Sequence, residues 1–179
     1  MQAETLTGRA SPYEAVLGEA FARLDRRVQR AHLPPLVAQG SLDVEHGSHA
    51  LTPVLIRILK LPAAGNAQPV RLEVARDGDR LAWMRRIGPT ALHTVQHAHD
   101  SRIVEEHGIG RVEFDLHVQG GSLEYRQRTM SVAGVPVPAF VQPQVRACVS
   151  ACAQGWHVEV VVTWRDHLIC RYHGPMTPA

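Results

Sequence analysis

Residues 70–132 read VRLEVARDGDRLAWMRRIGPTALHTVQHAHDSRIVEEHGIGRVEFDLHVQGGSLEYRQRTMSV. Short runs of alternating apolar and polar residues are broken at Asp77-Gly78, Asp100-Ser101, Gly108-Ile109-Gly110 and Gly120-Gly121. Period-two alternation with this punctuation is the pattern of consecutive hairpins. It resumes after residue 155 and continues to Tyr172. The chain is therefore expected to be α+β. A long antiparallel β-meander of about eight or nine strands would curl as a half-barrel or barrel, with two N-terminal helices packed on or in it.

The strand candidates of the meander are 69–76, 79–87, 90–98, 102–107, 111–119, 122–132, 156–164 and 167–173, preceded by a strand over 37–45. Their faces differ. Val112, Phe114, Leu116 and Val118 alternate with Arg111, Glu113, Asp115 and His117, a half-buried pattern. Trp156, Val158, Val160, Val162 and Trp164 form a second apolar face. The strand 122–132 is mixed on both faces, which marks a polar-lined cavity or a wet surface. Residues 135–143 carry too many prolines for a central strand and are expected to form a loop or an edge. Residues 144–153 fit a short helix or an edge strand.

Ahead of the meander, Ser11-Pro12-Tyr13-Glu14 is a capping box with proline at the first helical position. The apolar spacing from Tyr13 through Val16, Leu17, Phe21 and Leu24 to Val28 predicts one amphipathic helix, with Arg23, Arg26, Arg27 and Arg30 at its end. Leu33-Pro34-Pro35 closes it. A second helix is expected from His49 to Lys60, apolar nearly all round and so buried. Residues 1–10 read as a loose lead-in and 11–179 as a single domain.

A chain of 179 residues is long enough to bury a core without staples. Nineteen basic and 17 acidic residues give a net charge of +2, too even for a phosphate-neutralising platform, so no nucleic-acid partner is expected. No apolar run approaches the length needed to span a bilayer, and the first residues lack the apolar core of a secretory signal. A cytoplasmic location is the expectation. Cys148, Cys152 and Cys170 form no C-x-x-C pair and suit reduced thiols.

Three sets of side chains carry candidate chemistry. His93, His97 and His99 lie at odd positions and share one face of a regular strand, with His97 and His99 as the candidate metal ligands. Glu105 and His107 also share a face, and a carboxylate beside an imidazole is a general acid–base pair. Trp83 and Arg85 share a third face, where an arginine among aromatics can receive a carboxylate or phosphate through its planar fork. Tyr125, Arg126 and Tyr172 complete the candidate ligand-binding set, and Trp156 and Trp164 can add aromatic area. No nucleophile elbow, Walker loop, dinucleotide fingerprint or H-E-x-x-H is present, and no cofactor is predicted.

Several stretches resemble a known family: Tyr13 to Phe21 with Leu17-Gly18, Leu61-Pro62-Ala63-Ala64-Gly65, Trp83-x-Arg85, Arg102-Ile103-Val104-Glu105-Glu106-His107-Gly108, the prolines at 136–143, and Tyr172-His173-Gly174-Pro175. Together they resemble a bacterial family catalogued as domain of unknown function 4166. The likeness covers nearly the whole chain, departing where Ile87-Gly88-Pro89 replaces an aromatic followed by paired glycines. In that family the domain occurs alone or behind reductase- or dehydrogenase-like domains, with no established activity. The resemblance thus implies an accessory module with a reductase- or dehydrogenase-like partner. The leading reading is a non-catalytic domain binding a small amphipathic or hydrophobic ligand within a curved sheet. The alternatives are a small enzyme, metal-dependent or cofactor-free, using Glu105, His107 and the histidine face, and a protein–protein interaction module.

Overall fold

Each break in the alternation becomes a turn in the computed structural model, which describes residues 10–179. The expected lead-in falls outside the described residues apart from Ala10. Gly120 and Gly121 both adopt positive φ, 58° and 80°, the two-residue turn whose twist matches its flanking strands. The strands are β1 Leu36–His46, β2 Gly65–Asp77, β3 Arg80–Ile87, β4 Thr90–His99, β5 Arg102–His107 and β6 Gly110–Gln119. They continue with β7 Ser122–Val132, β8 Val135–Pro136, β9 Gln144–Cys152, β10 Gly155–Trp164 and β11 His167–Pro178.

Their order is β6-β5-β4-β3-β2-β1-β11-β10-β9-β7-β8, and β6 also pairs with β7. The ring therefore closes into a ten-stranded antiparallel barrel, with the two-residue β8 attached outside it. Residues 144–152 are strand, and not at an edge: β9 lies between β10 and β7. The seam between β7 and β9 is short, running only from Leu123 opposite Val149 to Arg126 opposite Arg146. Above it Gln127 fills in for the missing ladder. Its Nε2 donates to the Pro143 carbonyl at 2.9 Å and its Oε1 accepts from the Val145 amide at 3.0 Å. A register shift opposite Glu113 and Phe114 leaves Arg128 as an extra residue on β7, so the alternation inverts and Met130 faces inward with Tyr125.

The capping box forms as predicted: the Glu14 amide donates to Ser11 Oγ at 3.2 Å and the Ser11 amide to Glu14 Oε2 at 2.6 Å. The single long helix does not. It divides into α1 Pro12–Leu17, a 3-10 segment Gly18–Arg23 and α2 Arg26–Ala31. Gly18 departs from helical geometry at φ 52°, ψ −129°, and the Asp25 side chain starts a new helix by accepting from the Arg27 amide at 2.8 Å. The break lets the segment bend across one end of the barrel. There the Asp25 amide donates to the Gly121 carbonyl and Arg27 Nη1 to that of Cys152. Tyr13, Val28 and His32 are consequently buried as a plug.

The second helix, α3 Thr52–Ile58, is shorter than 49–60 and is not enclosed by the sheet. It joins β1 to β2, which pair with each other as far as Val44 opposite Gly65, so it must leave and return at one point of the rim. Leu55, Ile56 and Leu59 are partly buried against the core at the rim, while Leu51, Val54 and Ile58 are exposed.

Gly40 sits where β1 packs tightly against β11. A Cβ there would lie 2.2 Å from the Pro175 carbonyl oxygen and 2.7 Å from the Met176 sulfur. Gly40→Ala is expected to cost roughly 1–3 kcal/mol, read as a lowered urea midpoint at unchanged slope. An unchanged midpoint would contradict this packing.

Candidate ligand-binding site

The barrel encloses a cavity of about 580 Å³. Tyr13, Ala31 and His32 from the helical segment close one end. The other end is a mouth bordered by Ile58–Leu61 at the end of α3, by the β5–β6 turn from His107 to Arg111, and by Met130–Val132 of β7. Leu42, Val70, Leu72, Leu92, Val158 and Val160 make most of the wall aliphatic. Inward-facing Val158 and Val160 are only half-buried because they border open space instead of another side chain.

One polar cluster interrupts this wall. Arg85 Nη1 donates to Glu105 Oε1 and to Thr94 Oγ1, both at 3.0 Å. Gln96 Nε2 donates to Glu105 Oε2 at 2.7 Å, and the Tyr13 hydroxyl donates to Gln96 Oε1. The Arg85 guanidinium carbon sits 4.8 Å from the Trp83 ring centroid, a cation–π contact. Arg85 and Glu105 retain 20% and 22% of their side-chain surface, and both line the cavity. Burial pushes the Glu105 carboxyl up, but the Arg85 charge and the hydrogen bonds it accepts outweigh that and hold it below its ordinary value. Burial likewise works against the Arg85 cation, and Glu105 more than offsets it, leaving Arg85 raised. Both groups are ionised, so the pair is neutral overall.

A second chain of contacts runs through the plug. His32 Nδ1 lies 2.7 Å from the Val28 carbonyl, which can only accept, so that nitrogen carries the proton. Burial lowers the His32 pKa to about 4, and the neutral ring leaves Nε2 to accept from the Tyr125 hydroxyl at 2.6 Å. Burial raises the pKa of the Tyr13, Tyr125 and Tyr172 hydroxyls and keeps them protonated. Two buried side-chain nitrogens on cavity-lining residues have no partner among the described residues: Trp83 Nε1 and His107 Nε2. His107 uses its other nitrogen on the His93 carbonyl, at 2.7 Å.

Of the sequence-derived candidates, Trp83, Arg85, Glu105, His107, Tyr125 and Tyr172 all line this cavity, as does Trp156. The guanidinium that the sequence offered to a carboxylate or phosphate is already matched by Glu105. Glu105 in turn has both oxygens occupied, and His107 bonds to a backbone carbonyl instead of to Glu105. Arg126 is outside, paired with Glu124 at 2.9 Å. Trp164 does not line the cavity; its Nε1 donates to the Val141 carbonyl and ties down the proline-rich loop. Leu92, Thr94 and Gln96 take the inner face of β4, which puts His93, His97 and His99 on the outer face. Among the described residues no three His, Cys, Asp or Glu side chains converge to hold a metal. Sequence reasoning missed Tyr13, His32, Thr94 and Gln96 as site residues. The available signal was the even-numbered alternation of Leu92, Thr94 and Gln96.

Two predictions follow the electrostatics. The neutral His32 is favoured only in the folded state. As pH falls below the ordinary 6.5 the unfolded chain gains a proton that the native ring refuses, and this loss of stability levels off near pH 4. Between pH 6.5 and 5, before carboxylates contribute, the His32→Gln variant should show a shallower decline than the parent in urea unfolding; equal slopes would rule out the buried neutral imidazole. At Arg85 and Glu105, either Arg85→Met or Glu105→Gln should cost about 3 kcal/mol by stranding a buried charge, and the double variant should recover much of that. Additive losses would mean the two side chains act independently.

A crystal structure of a secretory abundant heat soluble (SAHS) protein from Ramazzottius varieornatus is similar to this chain, with a TM-score of 0.41 and 11% identity over 77% of this chain and 91% of that one. No curated protein matches. Residues 24–176 match the family model described as a domain of unknown function, a span that takes in β1 to β10, β11 as far as Met176, and all the cavity side chains described above except Tyr13. The chain belongs to the DUF4166 family.

Proposed function

We propose that this protein is a non-catalytic binding domain for a small hydrophobic molecule that carries a neutral hydrogen-bonding group. The observation that carries the reading is a cavity of about 580 Å³, within the range of small-molecule sites, whose apolar wall holds one charge-balanced cluster beside an unpartnered indole N–H. A buried donor without an acceptor costs free energy, and a ligand hydroxyl, carbonyl or ether oxygen at Trp83 Nε1 recovers it. A carboxylate there would add a second negative charge close to Glu105 in a poorly screened interior. The cavity therefore selects for a neutral head and an apolar body. Chemistry is disfavoured as its purpose because Glu105, the one carboxylate among the described wall residues, already accepts from Arg85 and Gln96.

Displacement of the neutral fluorophore Nile red tests the reading. Dodecanol should compete about tenfold or more better than dodecanoate at pH 7, a difference of at least about 1.4 kcal/mol. Trp83→Phe should weaken dodecanol by about fivefold, one hydrogen bond's worth. Failure of Nile red to bind, or tighter binding of dodecanoate, would contradict it.

A further inference from the structure

The exposed apolar side chains of this protein gather at one end. Ten large hydrophobic residues are exposed among the described ones, and all but Val37 and Met84 lie around the cavity mouth. Leu51 at the N-cap of α3 and Val54 and Ile58 within it form one stripe, at the spacing that places them on a single helix face. Ile109 tips the β5–β6 turn, Val132 and Val135 flank the β7–β8 turn, and Phe140 and Val141 lie in the loop that follows. These pieces form one rim: the Ala133 amide donates to the Ile109 carbonyl at 2.8 Å, and Trp164 holds the Val141 carbonyl. The opposite face of α3 already packs on the core, so the outward stripe is not needed for folding.

Charge is distributed with the same polarity. The connections at the mouth span 47–64, 88–89, 108–109, 133–143 and 165–166, and contain Arg57, Lys60 and Arg165 against the single carboxylate Asp166. The plugged end instead carries Glu14, Glu19, Asp25, Asp79 and Asp100 among its arginines. An apolar rim with cations and almost no carboxylates is complementary to an anionic lipid surface: apolar tips enter the headgroup layer while the cations meet phosphate. A second copy of this chain would bring the same cations face to face.

We propose that the mouth end docks on anionic bilayers and that the cavity exchanges its ligand with the membrane at that contact. The docking surface stands on the rim, whereas the ligand exchange rests on the binding function proposed above.

Cosedimentation of the full chain with phosphatidylcholine vesicles, with and without phosphatidylglycerol, tests docking; Nile red titration of the same samples reads the cavity separately. Binding is expected only with phosphatidylglycerol, and should weaken as salt rises. Arg57→Gln with Arg165→Asn should weaken it about thirtyfold, and Val54→Ser with Phe140→Ser at least about tenfold, with Nile red affinity unchanged because none of these four residues lines the cavity. Absence of vesicle binding with Nile red binding intact would overturn docking alone. So would vesicle binding that survives both pairs of substitutions, or sedimentation of the free chain as a dimer dispersed by Val54→Ser with Phe140→Ser, which would assign the rim to a second copy. Vesicle binding without Nile red binding would instead sustain docking and remove the ligand exchange.

Discussion

Ten antiparallel strands close into a ring wider than their own side chains can fill. About eight strands leave an interior that side chains just occupy, and each added strand widens it. The remaining architecture answers that excess width. One end is stopped by the bent helical segment that brings in Tyr13 and His32, and the middle of the lumen stays open as the cavity. Closure itself depends on the two ring pairings that no tight hairpin supplies, β1 with β11 and β7 with β9, which remove the sheet edges that would otherwise template aggregation.

Inside a lumen of this kind a polar group must be satisfied or it destabilises the fold. Arg85, Glu105, Gln96, Thr94 and Tyr13 satisfy one another across strands β3, β4, β5 and helix α1, so the plug and the wall are joined by the same network. A buried ion pair is not by itself a stability device, since a well-packed apolar replacement is often as stable. Its physical effect here is on the polarity of the space it borders. It presents no net charge, and the indole N–H of neighbouring Trp83 has no partner among the described residues. Stability and the proposed ligand preference thus draw on the same side chains.

Much of this was legible in the sequence because it is local. Asp77-Gly78 and Gly120-Gly121 mark hairpins through backbone geometry, and Ser11 with Glu14 marks a helix start through two hydrogen bonds. Period two also placed Trp83 with Arg85 and Glu105 with His107 on common faces, and the structure brings both faces to the cavity. What was not legible is nonlocal or rests on one residue. The closure of the ring depends on accumulated twist. The extra residue Arg128 inverts the inner face of β7 without altering the hydrophobic pattern enough to be noticed. Gly18 and Asp25 break a helix whose apolar spacing argued for continuity. On β4 period two grouped the histidines on one face but did not say which face turns inward, because Gln96 is inside only by virtue of Glu105 on the next strand, leaving the histidines outside.

The central claim is that the lumen itself is the binding site, and native mass spectrometry tests it most directly when the space is deliberately filled. After equilibration with dodecanol, the parent chain should carry one ligand that is lost on denaturation, while Ala147→Phe, which places a ring against the cavity wall, should carry none and remain folded. Equal loading of the two folded proteins would place the ligand outside the barrel and contradict the account.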